Sequence, residues 1–400
     1  MLRVKCLIVC LLIAVITPMS VAHSSQPAAV IQQILWSPDG SKIAISGTNG
    51  LFYILDAQTK QSVVTIKNKL TRIDTIAWRA DGAEIASANA ENGLISIWDT
   101  SDGSLVAALP LEKYSLGSAM VAWSPDGAKL AGVIFGDNDN TFPVHIWSIS
   151  NNEFKVVGTS LPNQYFSMVW SPDSTKIALG GFSGVFLLNN ISSDSINGSW
   201  FGPDLPVFSV AWSHNDDRMA IGGSDGSIRI LDAKSATQLD SFHLLKGSLL
   251  YMQWSPDDDF IVGNGGESSI YLWNLKLNSL QIQVPVQNSA GLATPSLVSW
   301  SPYGGRAAYV TDINFISEDQ LLNFLDKRLQ FIVAPPSFEI LQKIVKRCVL
   351  NTQIQNRFAT LLQNQQLSVF SREVQQLSSK QISPVCSSDL IAVSNALQNK

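Results

Sequence analysis

The chain has 400 residues, 46% apolar and 15% charged, with a net charge of −5 at pH 7. That composition can fill a sizeable core and leaves a surface poor in charge. It argues against nucleic acid as a main partner, because phosphate binding needs clustered Lys and Arg and no basic run occurs.

Residues 1–22 read as an export signal. Arg3 and Lys5 give a positive start, residues 6–16 are unbroken apolar, and Ser20, Val21 and Ala22 offer the small residues that a signal peptidase reads. The apolar stretch is well short of the ~20 residues that span a bilayer. No other stretch could cross one, so no membrane span is expected once the signal is removed. The expected location is exported: periplasmic, cell-surface or secreted. Cys6 and Cys10 leave with the signal, and the residues before Cys10 lack the small side chains that lipid attachment requires. Cys348 and Cys386 remain, in an oxidising compartment. A disulfide between them is expected, and two buried thiols are the alternative. The bridge would stabilise by about 3–4 kcal/mol in the chain-entropy model.

From residue 28 onward one word dominates. Trp-Ser-Pro-Asp-Gly, or a near copy, begins at Trp36, Trp78, Trp123, Trp170, Trp212, Trp254 and Trp300, at spacings of 42 to 47 residues. A period in this range is the signature of a ring or array of small sheets. Each copy follows a stretch of alternating apolar residues, which predicts a half-buried strand. Ser-Pro-Asp-Gly then favours a type I turn. Eight residues after each Trp stands Ala44, Ala86, Ala131, Ala178, Ala220, Val262 or Ala308, small residues suited to close packing in a second strand. A third strand is predicted to end at Leu55-Asp56, Trp98-Asp99, Trp147-Ser148, Leu188-Asn189, Leu231-Asp232 and Trp273-Asn274, and a fourth runs outward, as at 62–66, 104–109 and 238–243.

Four short antiparallel strands per repeat make a β-propeller blade. The repeated Trp word, the Ala in strand two and the Trp98-Asp99 pair resemble the WD40-repeat family over roughly residues 28–312. The resemblance implies an all-β seven-bladed propeller in residues 23–316 that binds partners through loops. The chain departs from the family in having no Gly-His pair, so the hydrogen-bonded His–Asp–Ser/Thr–Trp set of that family cannot form, and stability is expected from packing and ladder bonds. The Trp word is also found in propellers similar to those of TolB and of prolyl oligopeptidases. The Ile-Trp-Asp and Ile-Leu-Asp endings of strand three favour WD40.

The seventh repeat has Trp300 and a second strand at 306–311, but its third and fourth strands are not evident. An open edge needs cover. Residues 23–33 are the expected donor, since WD40 rings commonly close by pairing an N-terminal strand with the last blade, and the C-terminal helices would cover what remains.

Residues 317–400 are expected to form a helical bundle. Ser317, Glu318, Asp319 and Gln320 make a capping box before Leu321, Leu322, Phe324, Leu325 and Leu329. Further stripes follow at Phe338, Leu341, Ile344, Val345 and Cys348; at Ile354, Phe358, Leu361 and Leu362; at Phe370, Val374 and Leu377; and at Leu390, Val393 and Leu397. Residues 353–397 resemble the FIMAH module that ends some secreted bacterial proteins, on Ala359-Thr360-Leu361-Leu362, Phe370, Lys380-Gln381-Ile382-Ser383 and Leu390-Ile391. With the signal, this points to a bacterial exported protein.

The chemistry-bearing residues are sparse. His23, His145, His214 and His243 share no metal-ligand spacing with each other or with a Cys. No nucleophile elbow or phosphate-cradling loop occurs. Asp137, Asn138, Asp139, Asn140 and Thr141 alternate oxygen ligands, but Phe142 stands where a calcium loop needs Gly, so a solvated hairpin tip is the better reading. Asp216-Asp217 and Asp257-Asp258-Asp259 read as solvated turn acids. No catalytic, cofactor or metal site is expected, and the chain is not expected to be an enzyme. The expected role is a scaffold that binds a protein or peptide through the loops before strand one and between strands two and three. Tyr114, Tyr165, Phe182 and Trp200 are the candidate anchors. The alternatives are a structural envelope or surface protein docked by the tail, and a propeller hydrolase or lyase of TolB-like or prolyl-oligopeptidase-like type.

Overall fold

A computed structural model describes residues 30–399 apart from 49, 68–71, 112–117, 136–142, 150–152, 158–164, 192–196, 202–203, 244–246, 266–267, 287–296, 312–328 and 378–380. The signal segment, Tyr114, the 137–141 loop and the capping box at 317–320 lie outside the described residues.

Seven antiparallel sheets form seven blades. Blade one has its strands at Ile31–Trp36, Lys42–Gly47, Leu51–Asp56 and Ser62–Lys67, paired in chain order. Blades two to six repeat that order. The third strands end at the predicted pairs, as at Leu94–Asp99 and Ser269–Asn274. The first strand of each blade is innermost and packs on the first strands of its neighbours. The small residue of strand two is fully buried in every blade, from Ala44 through Val262 to Ala308. A larger side chain there would have to displace the facing blade.

The missing His-based network is replaced by bonds between blades. Inner-strand side chains accept amides of the next blade: Gln33 from Ile76 at 2.8 Å, Thr75 from Val121 at 3.0 Å, Ser167 from Val210 at 3.1 Å, Ser209 from Met252 at 3.0 Å and Gln253 from Trp300 at 3.0 Å. Ser299 accepts from Trp36 at 3.2 Å and so closes the circle. Between blades three and four, the Trp170 indole donates to the Ala122 carbonyl at 3.0 Å. Each such bond contributes about 1 kcal/mol. Within blade two, the Trp98 indole donates to Ser87 Oγ at 2.9 Å.

The Trp-Ser-Pro-Asp turn has its own chemistry. Ser37 donates to Asp39 at 2.6 Å, and Ser124, Ser171 and Ser255 donate to Asp126, Asp173 and Asp257 at 2.5 Å. The acid also accepts the amide two residues on, at 3.0 Å in Ser41, Ala128 and Thr175. Burial opposes ionisation of Asp39, Asp126 and Asp173, but these bonds outweigh it and hold the three carboxyls below their ordinary range.

Blade seven corrects two expectations. Of the expected donor 23–33, residues 23–29 lie outside the described residues, and 31–33 belong to blade one's own inner strand, Ile31–Trp36. Its third strand is Leu329–Val333, paired to Arg306–Val310. Leu329 therefore lies in a propeller strand rather than on a helical stripe, and the propeller reaches past residue 316. The other stripes form helices α1 (Phe338–Cys348), α2 (Thr352–Gln363), α3 (Leu367–Gln376) and α4 (Pro384–Gln398). Ser337, Asn351 and Ser383 cap α1, α2 and α4. Phe358 and Phe370 meet edge to face at 4.9 Å between α2 and α3. One apolar core runs from blades six, seven and one into all four helices, so the tail shares its core with the ring.

Candidate functional site

Strands alternate in direction, so each blade's turns divide between two faces of the ring. The turns joining strands one to two and three to four share one face, and the helices cover part of it. Val385 of α4 reaches the Gly40 turn of blade one. A Cβ on Gly40, whose φ is +71°, would stand 3.0 Å from Val385 and 2.9 Å from Pro302. Gln58 bonds Ser388, and Arg347 donates to the Tyr303 carbonyl at 2.9 Å. The acids of blade six are not a solvated face, as sequence suggested. Lys343 of α1 pairs with Asp259 and lies 3.8 Å from Asp257, while Lys276 reaches Glu339 at 2.7 Å. Lys343 of α1 thus falls on a turn that carries three carboxylates, which adds a charge match to the apolar core that seats the helix.

The opposite face, which holds the starts of the inner strands and the turns between strands two and three, carries one of the candidate anchors. Phe182 sits in such a turn of blade four and is 49% exposed. Its ring meets Phe166 edge to face at 4.8 Å, and Phe166 lies 4.8 Å from Phe208 of blade five. Phe166 and Phe208 are half-buried. The three rings make one apolar ledge across two blades.

Tyr165 is not part of it. Its side chain is fully buried in the core between blades three and four, and its hydroxyl has no hydrogen-bond partner. Burial pushes that hydroxyl above its ordinary range. The cause is a bulge. The register of the inner strand slips between Tyr165 and Ser167, which leaves Phe166 unpaired, and Val207 and Ser209 flank Phe208 in the same way. A bulge turns the extra side chain away from the pleat, so the aromatic next to the expected one reaches the surface. No signal in the sequence marks a bulge here except its repetition, four residues before Trp170 and before Trp212.

The same position differs around the ring. It is Leu250 in blade six, Gln32 in blade one and Asp74 in blade two. Asp74 is buried, bonded to Arg72, and accepts the amides of Ala90 at 2.8 Å and Ala119 at 3.2 Å. Burial raises its pKa, with Arg72 pulling the other way. The face is thus apolar over blades four to six and polar across from them. The backbone of Trp200 pairs with Phe186 in the outer strand Asn197–Phe201; its side chain is outside what can be described. His145 is buried and stacks on Trp147 at 5.8 Å.

Among the described residues no group of three or more His, Cys, Asp or Glu is arranged to hold a metal ion, and no helix is long and apolar enough to cross a membrane. Cys348 ends α1 and Cys386 lies in the first turn of α4; their Cα atoms are 5.9 Å apart, a distance a disulfide spans.

Known proteins match the ring. A family profile described as the anaphase-promoting complex subunit 4 WD40 domain matches residues 168–257. The chain is 25% identical to the WD repeat-containing protein slp1 of Schizosaccharomyces pombe over 163 residues, which is 40% of this chain and 32% of that protein. It is 29% identical to the anaphase-promoting complex subunit cdh1 of Dictyostelium discoideum over 128 residues, 32% of this chain and 16% of that one. The matches therefore span a third or less of these relatives' own length. In structure, the chain resembles the β-propeller domain of Cps50 (Swd1) from Myceliophteria thermophila, with a TM-score of 0.60 at 13% identity, over 76% of this chain and 96% of that one. These matches support a WD40-repeat propeller, and the structural likeness shows the fold alone.

Proposed function

We propose that this chain is an exported, non-enzymatic propeller scaffold of bacterial type that binds a protein or peptide through the face opposite its helices. One observation carries the reading: Phe166, Phe182 and Phe208 form an aromatic cluster on the face opposite the helices. A few desolvated aromatic anchors carry most of the affinity in such contacts. The WD-repeat relatives give general support for a binding role. The signal-like residues 1–22 and the 5.9 Å Cα separation of Cys348 and Cys386 support export and a disulfide between them.

The test is capture of partners by the full mature chain from an envelope or secretome extract. Phe166→Ser, Phe182→Ser and Phe208→Ser, combined in one variant with unchanged circular dichroism, should lose at least about tenfold in retained partner. Equal retention would remove the ledge as the binding surface. N-terminal sequencing of the protein from its host should begin at His23; an intact Met1 would refute export by this signal.

A further inference from the structure

Blade seven lacks the acid of its own turn. Tyr303 stands where the other blades have Asp39, Asp81, Asp126, Asp173, Asn215 or Asp257. A carboxylate nevertheless occupies the site. Asp389 of α4, fully buried, accepts from Ser301 Oγ at 2.5 Å and from the Gly305 amide at 3.1 Å. These are the two bonds that Asp39 takes from Ser37 and Ser41. Gly305 makes the approach possible, since a Cβ there would stand 2.6 Å from that of Asp389. The other oxygen of Asp389 holds Arg306 Nε at 2.6 Å. The Arg306 guanidinium in turn lies over the Trp36 ring of blade one, 5.7 Å from its centroid. One carboxylate from the tail therefore bears on the seam where the ring closes.

We infer that α4 and the Cys348–Cys386 pair form a redox-sensitive closure latch: Asp389 supplies the turn acid that blade seven lacks, and the bridge holds it there. Cys386 is three residues before Asp389, on the same side of α4. Cys348 ends α1, which Lys343 clamps to the blade-six acids. A path of fixed groups thus runs from blade six through α1, the sulfurs and α4 to the seam. A dithiol reductant opens it. Its thiolate attacks one sulfur, the bond between Cys348 and Cys386 breaks, and its second thiol closes the reductant's own disulfide. Two electrons and two protons pass to the protein, which keeps two thiols.

Amide hydrogen exchange on the full mature chain tests this, with and without dithiothreitol. Reduction should speed exchange at Val298–Trp300, Arg306–Val310 and Ile31–Trp36 by about tenfold or more, and leave Tyr165–Trp170 and Val207–Trp212 unchanged. Asp389→Ala should reproduce that pattern without reductant, and adding Tyr303→Asp, which restores the repeat's own acid, should reverse it. Three results overturn the latch: two free thiols in protein purified without reductant, no change at the seam on reduction, or a change spread evenly over all blades. If Asp389→Ala does not fold alone, the reduction experiment on the unaltered chain still decides. No partner enters the readout, so it stands or fails separately from the binding role.

Discussion

Blades four and seven carry the same Trp-Ser-Pro word and solve its turn differently. Blade four is self-contained: Ser171 donates to Asp173 two residues away, and Asp173 also accepts from Thr175. Blade seven keeps Ser301 and takes its acceptor from 88 residues downstream. The site, a serine hydroxyl and one backbone amide in want of a carboxylate, recurs in both blades, and the chain fills it from wherever a carboxylate can be brought. A repeat can therefore lose its signature residue and still keep its structure, at the cost of depending on another part of the molecule.

The contrast can be broken most forcefully at Asp389. Asp389→Ala leaves the half-buried Arg306 and the buried Ser301 without their acceptor and should destabilise by about 3–5 kcal/mol, the range for breaking a buried charge pair. Denaturant melts of the full chain measure it. Asp173→Ala should cost about 1–2 kcal/mol, because the carboxyl is itself exposed and only turn hydrogen bonds from Ser171 and Thr175 are lost. Equal losses would mean that the tail-supplied acid has no special weight. Lowering pH probes the self-contained turns. Asp39, Asp126 and Asp173 are held below their ordinary range, so the folded chain keeps them ionised where the unfolded chain takes up protons. Their contribution is complete above about pH 4 and is lost as pH falls through the depressed values. An acid titration followed by tryptophan fluorescence should show stability declining only below that point, and less steeply in Asp173→Asn. The smallest effect should come from Phe182→Ala on the open face, within about 0.5 kcal/mol of the parent in stability, while partner capture weakens.

Much of this was legible in the residues. The seven indoles set the blade count, the small residue eight positions on marked the packed second strand, and the closing pairs placed the ends of third strands. Four amphipathic stripes became four helices. The strand Leu329–Val333 was missed because it lies off the repeat's spacing, though Phe331, Ile332 and Val333 just before Ala334-Pro335-Pro336 are better strand than helix formers. The sequence points to Tyr165 where Phe166 reaches the surface, because a bulge shifts facing by one residue and leaves composition unchanged. The role of Asp389 could not be read locally. Its two hints, a Tyr in the acid's place at 303 and a lone Asp among apolar residues of α4, gain meaning only when brought together in space.

Chain order gives the Asp389 contact a temporal meaning. Synthesis runs from the N-terminus, so six turns can set as soon as each emerges, whereas the seventh must wait until α4 has been made. A nascent chain stopped after Val333 would hold every described propeller strand and still present Ser301 and Gly305 with nothing to grip. An interrupted product would therefore keep the Ser299–Trp36 bond at the seam but lack the acceptor that Asp389 brings to Ser301 and Gly305.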